Sequence, residues 1–430
     1  MTRVRVGAHV EPVRQRTQLV PAPARTQHAV LDLQRTVGNA ATTMLIQRML
    51  AHRTTPLLGP AAAPVLRQPI VVAREAAFGL RAKAAISGYA GPAADWWRAN
   101  PTVTLQDFGL HLMVEANKAL TANGVPPLPA PVLISGGRKA GGFARNSWSI
   151  QLDLANIAQG PLTTTIGTLA PDRVAEVTNI CFHEARHSEQ AFAVARLVAS
   201  EGGKDAKAIA AEVDIPEWVA TAALGAKGPM PGGKAGLADV KLWRAIGQTG
   251  KHSDYWKWNE DFRGFASNVV RSFPSPSPSG VDAVIKTREA FAKTLASWQK
   301  DTLPFLDVKI AALSKLKRPD AADTVVLRDV TKIKAAVRKV VSADAALGAE
   351  ITRFRTRRAN TRKPITVAQA TSIQSTFEID WLALEIAVRQ LSIAADAAYE
   401  AYPHEADAYA TGRSVEKAFL GRSKVPAGKP

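Results

Sequence analysis

Two histidines four residues apart, with a glutamate beside the first, occur in His183-Glu184-Ala185-Arg186-His187, inside a run that reads as one helix. Pro171 suits a first helical position, and neither proline nor glycine recurs before Gly202. At 1.5 Å per residue that helix would be roughly 45 Å long. On it His183 and His187 share a face, so a ring nitrogen of each can point at one ion, while Glu184 is offset by about 100°. The pattern suits hydrolysis by metal-activated water. Two neutral imidazoles and a third ligand hold a divalent ion, which lowers the pKa of water toward neutrality, and the neighbouring carboxylate takes the proton. The plain alternative is two core or surface histidines and a solvated glutamate. Glu176, Ile180, Gln190 and Val194 fall on the same face, mixed polar and apolar as a cleft wall would be.

The elements that must position these groups lie in a chain of 430 residues, long enough for two or three domains, with 46% hydrophobic residues to build cores. No apolar run approaches twenty residues, so no membrane span is expected. The start has early arginines without a following apolar block, which argues against a Sec-type signal peptide. Cys181 is the single cysteine, so an intrachain disulfide is excluded and folding in a reducing cytoplasm is expected. Its place on another face than His183 makes it a small buried hydrophobe rather than a ligand. The net charge is +18, and residues 1–90 carry half of it, with twelve Lys or Arg against three Asp or Glu. Such a leader favours anionic partners, although a solvated basic surface is the commoner cause.

Residues 1–28 lack a hydrophobic period and read as disordered. Over 29–50, Val30, Leu33, Val37, Ala41, Met44 and Leu45 recur at helical spacing, giving a docking helix too short to be a domain. A Pro/Ala-rich linker fills 51–72. Helical runs follow over 73–88 and 104–123, with Trp96 and Trp97 between them. The stretch Ser135–Gly142 has the wrong glycine spacing for a phosphate loop and reads as a hairpin connection after the short strand Val132–Ile134. Trp148, Ile150, Leu152 and Leu154 alternate with polar residues as in a half-buried strand. Gly225–Gly236 reads as a flexible loop, and Trp243, Tyr255, Trp256 and Trp258 as an aromatic patch that fills core or lines a pocket. After the break at Phe273–Gly280, helices are expected near 281–300, 303–317, 323–358 and 366–401, packed as a long hairpin or bundle. Arg353, Arg355, Arg357, Arg358, Arg362 and Lys363 cluster at one helix end, where the macrodipole favours cations and where phosphates could also bind.

Leu33-Gln34-Arg35-Thr36-Val37-Gly38-Asn39-Ala40-Ala41 resembles the L-Q-R-x-x-G-N-x-A segment near the start of many bacterial proteins associated with extracellular contractile injection systems and related polymorphic toxins. The resemblance covers about twenty residues and implies a loading or tethering role for residues 29–50, with the chemistry downstream.

A metal on two histidines needs a further protein ligand, and the sequence offers His404, Glu405, Asp407, Glu260 and Asp261. The segment Tyr402–Gly412 resembles the E-A-D-type element that follows H-E-x-x-H in several gluzincin-like metallopeptidase families and their toxin-associated relatives. The resemblance implies His183, His187 and Glu405 as zinc ligands, Glu184 as general base, and Asp407 as the partner that orients an imidazole. Tyr402, Tyr409, His404 and Arg186 are the candidates to stabilise an oxyanion. Zinc fits two imidazoles and one carboxylate with a place left for water, whereas hard cations take all-oxygen shells. The interval from His187 to Glu405 exceeds two hundred residues, and the helical region must bring its end back to the cleft.

The expected fold is therefore α+β and predominantly helical. A zincin-like core over 73–273 would carry a small antiparallel or mixed sheet beside the helix at 171–200. A helical insertion over 281–401 and a third-ligand element in 402–430 complete it. The expected function is a zinc metallopeptidase of a bacterial toxin or effector, acting on a protein or peptide and exported, where it is exported, by a non-Sec route. The competing readings are a non-catalytic cargo or interaction protein with a vestigial metal site, and a basic nucleic-acid-binding module.

Overall fold

A computed structural model describes residues 79–134, 140–226, 232–247, 249–273, 281–360 and 366–424. The docking segment 29–50, the linker 51–72, Ser135–Lys139, and Arg362 and Lys363 of the basic cluster lie outside the described residues. The described residues belong to one compact unit and contain two hydrophobic cores.

Helices α1 (Lys83–Ala99) and α2 (Leu105–Ala122) come first. The helix expected over 73–88 instead runs on through Pro92 and contains both tryptophans. Tertiary contacts offset that weak stretch: Trp96 stacks on His111 with ring centroids 4.4 Å apart, and the Trp97 ring N–H donates to Ile166 O at 3.2 Å.

Three strands follow, β1 (Val132–Leu133), β2 (Gly141–Ala144) and β3 (Ser149–Leu152), in the order β1-β3-β2. β1 runs parallel to β3 and β2 antiparallel to it, so the sheet is mixed. The expected hairpin from Val132–Ile134 to the strand near 150 is not formed, because a parallel pair cannot be closed by a short turn. The hairpin joins β2 to β3, and β2 escaped notice because Gly141 and Gly142 carry no alternating pattern. Ile150 and Leu152 point inward as expected. Trp148 lies in the turn, with φ 50°, and Leu154 opens the short helix α3 (Leu154–Ala158), whose Asp153 cap accepts the Asn156 N–H at 3.1 Å.

Helix α4 spans Pro171–Ser200, starting on its proline with Asp172 in the first turn. Twenty of its 30 residues are buried, so it is surrounded rather than laid on a surface. Helices α5 (Ala206–Val213), α6 (Glu217–Gly225) and α7 (Gly233–Ile246) pack near it, and α7 begins inside the expected flexible loop.

The second core belongs to α8 (Ser253–Ser272), α9 (Val281–Ser314), α10 (Ala321–Asn360) and α11 (Val367–Glu400). The helices expected at 281–300 and 303–317 are one, with Pro304 inside it. On α10 the buried residues Val326, Val330, Ile333, Val337, Val340, Leu347 and Ile351 follow a heptad spacing. The missing member, Asp344, takes a two-pronged pair from Arg288 at 2.9 and 2.7 Å.

Helix α12 (Pro403–Ser423) then leaves the second core and packs against α4 and α1, burying Val415 and Phe419 in the first core. Close approach is needed at Gly412, where a Cβ would run into the Asn179 side chain and stand 3.3 Å from the Asn179 carbonyl oxygen. This crossing closes the interval between His187 and Glu405. Among the described residues no helix is long and apolar enough to cross a membrane.

Candidate metal centre

His183 and His187 are presented by the middle of α4 and Glu405 by the first turn of α12, and the three form a buried group able to hold a metal ion. The Nε2 atoms of the histidines are 3.1 Å apart, and Glu405 Oε2 lies 3.6 Å from His183 Nε2 and 3.3 Å from His187 Nε2. Three ligands on a tetrahedral ion at about 2.0–2.1 Å stand about 3.3 Å from one another. The observed triangle has that size. Glu405 Oε2 is buried without a properly directed hydrogen bond.

Electrostatics agree with the geometry. Burial alone would lower the pKa of His187, but the Glu405 carboxylate beside it raises it to about 9. Burial would raise Glu405, yet the imidazoles, His187 foremost, hold it well below the usual carboxylate range. The pocket is arranged for positive charge between these three groups.

Neighbouring groups fix how each ligand presents its lone pair. The Gln190 amide N–H donates to His404 O at 2.8 Å and to Asp407 Oδ2 at 2.9 Å. Its Oε1 is thereby turned to His187 Nδ1, 2.8 Å away, which must be the donor, so Nε2 is left for an ion. The Tyr399 hydroxyl donates to Glu405 Oε1 at 2.7 Å, leaving Oε2 as the free oxygen. Asp407 touches neither imidazole. It accepts from Arg186 Nε at 2.7 Å and Arg81 Nη1 at 2.8 Å and reaches His187 only through Gln190. The direct Asp407–imidazole contact implied by the resemblance is corrected accordingly: a buried carboxylate pairs first with the guanidinium one helical turn along α4. Replacing Gln190 with Ala is expected to weaken zinc binding roughly 10- to 100-fold without unfolding the chain, as read by competition with a chelating dye. Unchanged affinity would remove Gln190 from this role.

Glu184 is 6% exposed, and burial raises its pKa, with the two histidines and the Phe143 backbone N–H opposing. It lies directly under β2. A Cβ at Gly141 would stand 3.2 Å from Glu184 Oε1 and 3.1 Å from Ile180 Cγ2, so glycine is what lets the strand pass so close. A cavity of about 300 Å³ opens here, lined by β2, Glu184, His187, His404 and Glu405, and also by Trp256, Glu260 and Tyr399.

The remaining candidates divide. His404 lines the cavity, its Nε2 3.7 Å from Glu405 Oε1; burial lowers its pKa to about 3, so the ring is neutral. Glu260 also lines it, and Asp261 is exposed and outside the group of three ligands. Arg186 is fully buried against Asp407 and Glu189 and is spent on them. The Tyr402 hydroxyl is buried, and the Tyr409 ring lies 4.5 Å from that of His183. Of the four aromatics, Trp256 alone lines the cavity; Trp243 and Tyr255 are core, and Trp258 stacks on Phe262 and Phe305. Cys181 is buried and free.

Sequence reasoning missed Tyr399 and Arg145, both in the cavity wall, because neither has any local signal. A second cluster, His252, Asp320 and Asp323, has the residue types of a metal site. There Lys251 takes both carboxylates at 3.0 and 2.8 Å, and each aspartate accepts the other's backbone N–H at the start of α10, so it is a satisfied helix cap. The arginine cluster on α10 is partly neutralised: Arg355 pairs with Glu289 at 2.8 Å, Arg353 with Glu350, and Arg358 stands 3.9 Å from Asp282.

No protein-family model, no curated protein and no solved structure matches this chain.

Proposed function

We propose that the chain is a zinc-dependent peptidase, with an effector setting suggested only by the Leu33–Ala41 segment. The observation that carries this reading is the triangle of His183 Nε2, His187 Nε2 and Glu405 Oε2, of tetrahedral-edge dimensions, with Glu184 beside it at the wall of a cavity. A strand edge next to the metal helix is what a zincin-like core would provide.

His183, His187 and Glu405 would hold the ion, two imidazoles and one carboxylate favouring zinc over hard cations. When bound, zinc supplies Lewis acidity, acidifying water and polarising a peptide carbonyl. Glu184 takes the proton of the attacking water and gives it to the departing amine nitrogen; its raised pKa suits both halves of that task. Among the described residues β2 is an end strand of the sheet, and its outer edge, apart from the Phe143 N–H turned to Glu184, could pair with an extended peptide backbone and lay the scissile bond over Glu184. His404, neutral and in the wall, is placed to donate to the developing oxyanion through Nε2.

The zinc-loaded full chain should hydrolyse members of a mixed peptide library, lose at least about 100-fold of that rate on chelation, and regain it with zinc. Mass spectrometry of the products reads the result. Turnover indifferent to chelation would contradict the reading, and a zinc-loaded protein that cleaves nothing would favour the non-catalytic cargo alternative.

A further inference from the structure

Among the described residues lining the cavity, Arg145 is the one lysine or arginine. It closes β2, half-buried, and its guanidinium has no ion-pair partner and no hydrogen-bond acceptor among the described residues. Asp214 and Glu405 act on it only through space, while burial disfavours its charge. Five N–H donors in a planar fork, partly removed from water and unanswered among the described residues, make a receptor for a planar anion.

The position is held firmly. The Arg145 carbonyl accepts the Trp148 N–H at 3.1 Å, closing the β2–β3 turn. Trp148 adopts φ 50°, which a bulky residue takes only where its surroundings enforce it. Its ring is wholly buried, edge-on to Phe143 at 5.2 Å and to Trp218 at 6.3 Å, with the ring N–H on Pro126 O at 3.4 Å. Gly247 lies close by, where a Cβ would stand 3.7 Å from Arg145 Nη1, an ordinary contact distance. A turn strained at a buried tryptophan thus places one guanidinium in the wall of the cavity that His187 and Glu405 also line.

We propose that Arg145 sets specificity by taking a substrate carboxylate as a two-pronged pair, so that the preferred peptides carry an acidic side chain or a free C-terminal carboxylate near the scissile bond. The inference rests on the peptidase reading for its substrate and on Arg145 alone for its selectivity. The competing class is a basic side chain drawn by Glu260 and Trp256, which also line the cavity. Glu260 keeps one buried oxygen without a hydrogen bond but interacts with another group of the chain, whereas the Arg145 guanidinium has no acceptor among the described residues, and this favours the anion.

Binding is measured by calorimetry on the zinc-loaded full chain carrying Glu184→Gln, using one peptide in which Glu, Gln and Lys are scanned through each position, with free and amidated C-termini. A carboxylate should bind roughly 10- to 100-fold better than its neutral counterpart at one position. Arg145→Gln should shrink that ratio to within about threefold, and Arg145→Lys, which keeps the charge but not the fork, should fall between. Loss of the preference on amidation places the carboxylate at the C-terminus; persistence places it on a side chain. Tighter binding of the Lys peptides, or a ratio unmoved by Arg145→Gln, overturns the assignment. Because binding is read without turnover, a wild-type chain that shows this preference yet hydrolyses nothing loses the peptidase reading and keeps Arg145. A chain that cleaves without the preference does the reverse.

Discussion

Glu184→Gln is expected to lower kcat for peptide hydrolysis by about 10²- to 10⁴-fold while one zinc per chain is retained. The substitution keeps the shape of a side chain that is 6% exposed and squeezed beneath Gly141, so neither cavity nor void is created. It leaves His183, His187 and Glu405 untouched, along with the Gln190 and Tyr399 contacts that orient the last two. What it removes is the carboxylate that accepts a proton. Activity, zinc content and thermal unfolding measured on the same preparation separate the possibilities: undiminished kcat would deprive Glu184 of its role, and lost zinc would make it a structural part of the ligand cage instead.

The second large effect concerns stability. Arg186→Met is expected to cost about 3–5 kcal/mol, a large part of the 5–15 kcal/mol that holds a typical domain together. Arg186 has no exposed surface; its Nε donates to Asp407 Oδ2 at 2.7 Å, another nitrogen pairs with Glu189, and its guanidinium carbon lies 5.4 Å from the Trp243 ring centre. Removing it strands two buried carboxylates. Arg81 would still hold Asp407 and the Leu80 N–H would still reach Glu189 at 3.0 Å, so the loss falls short of two unpaired charges. Replacing Arg186, Asp407 and Glu189 together with apolar residues should recover only part of the deficit, because it removes the orphaned carboxylates but takes Asp407 from Arg81 and Glu189 from the Leu80 N–H. Since Asp407 also braces Gln190 behind His187, the single variant should bind zinc more weakly than the native chain. Urea unfolding is the measurement, and a loss under about 1 kcal/mol would show that the cluster does not hold α4 and α12 together.

The ligands on α4 were legible because helical spacing alone places His183 and His187 on one face, and Pro171 and Gly202 bracket the run. Glu405 is implied by a resemblance rather than by spacing, as nothing local reports that α12 folds back across two hundred residues onto α4. The groups that make the site work were silent for the same reason. Tyr399 reads as one more aromatic near a helix end, and Gly141 as a loop glycine, until Glu405 and Glu184 are seen beside them. The resemblance implies an imidazole partner for Asp407; the guanidinia of Arg186 and Arg81 are stronger partners for a buried carboxylate. Trp148 fits an alternating strand in the sequence, yet its ring packs as a turn anchor, and the strand starts one residue later.

Anomalous diffraction at the zinc edge, on crystals of the full chain grown with stoichiometric zinc, bears most directly on the claim that three side chains from α4 and α12 enclose one ion. A single peak is expected about 2.0–2.2 Å from His183 Nε2, His187 Nε2 and Glu405 Oε2. A peak at His252, Asp320 and Asp323 with none at the α4–α12 crossing, or no zinc retained at all, would contradict it.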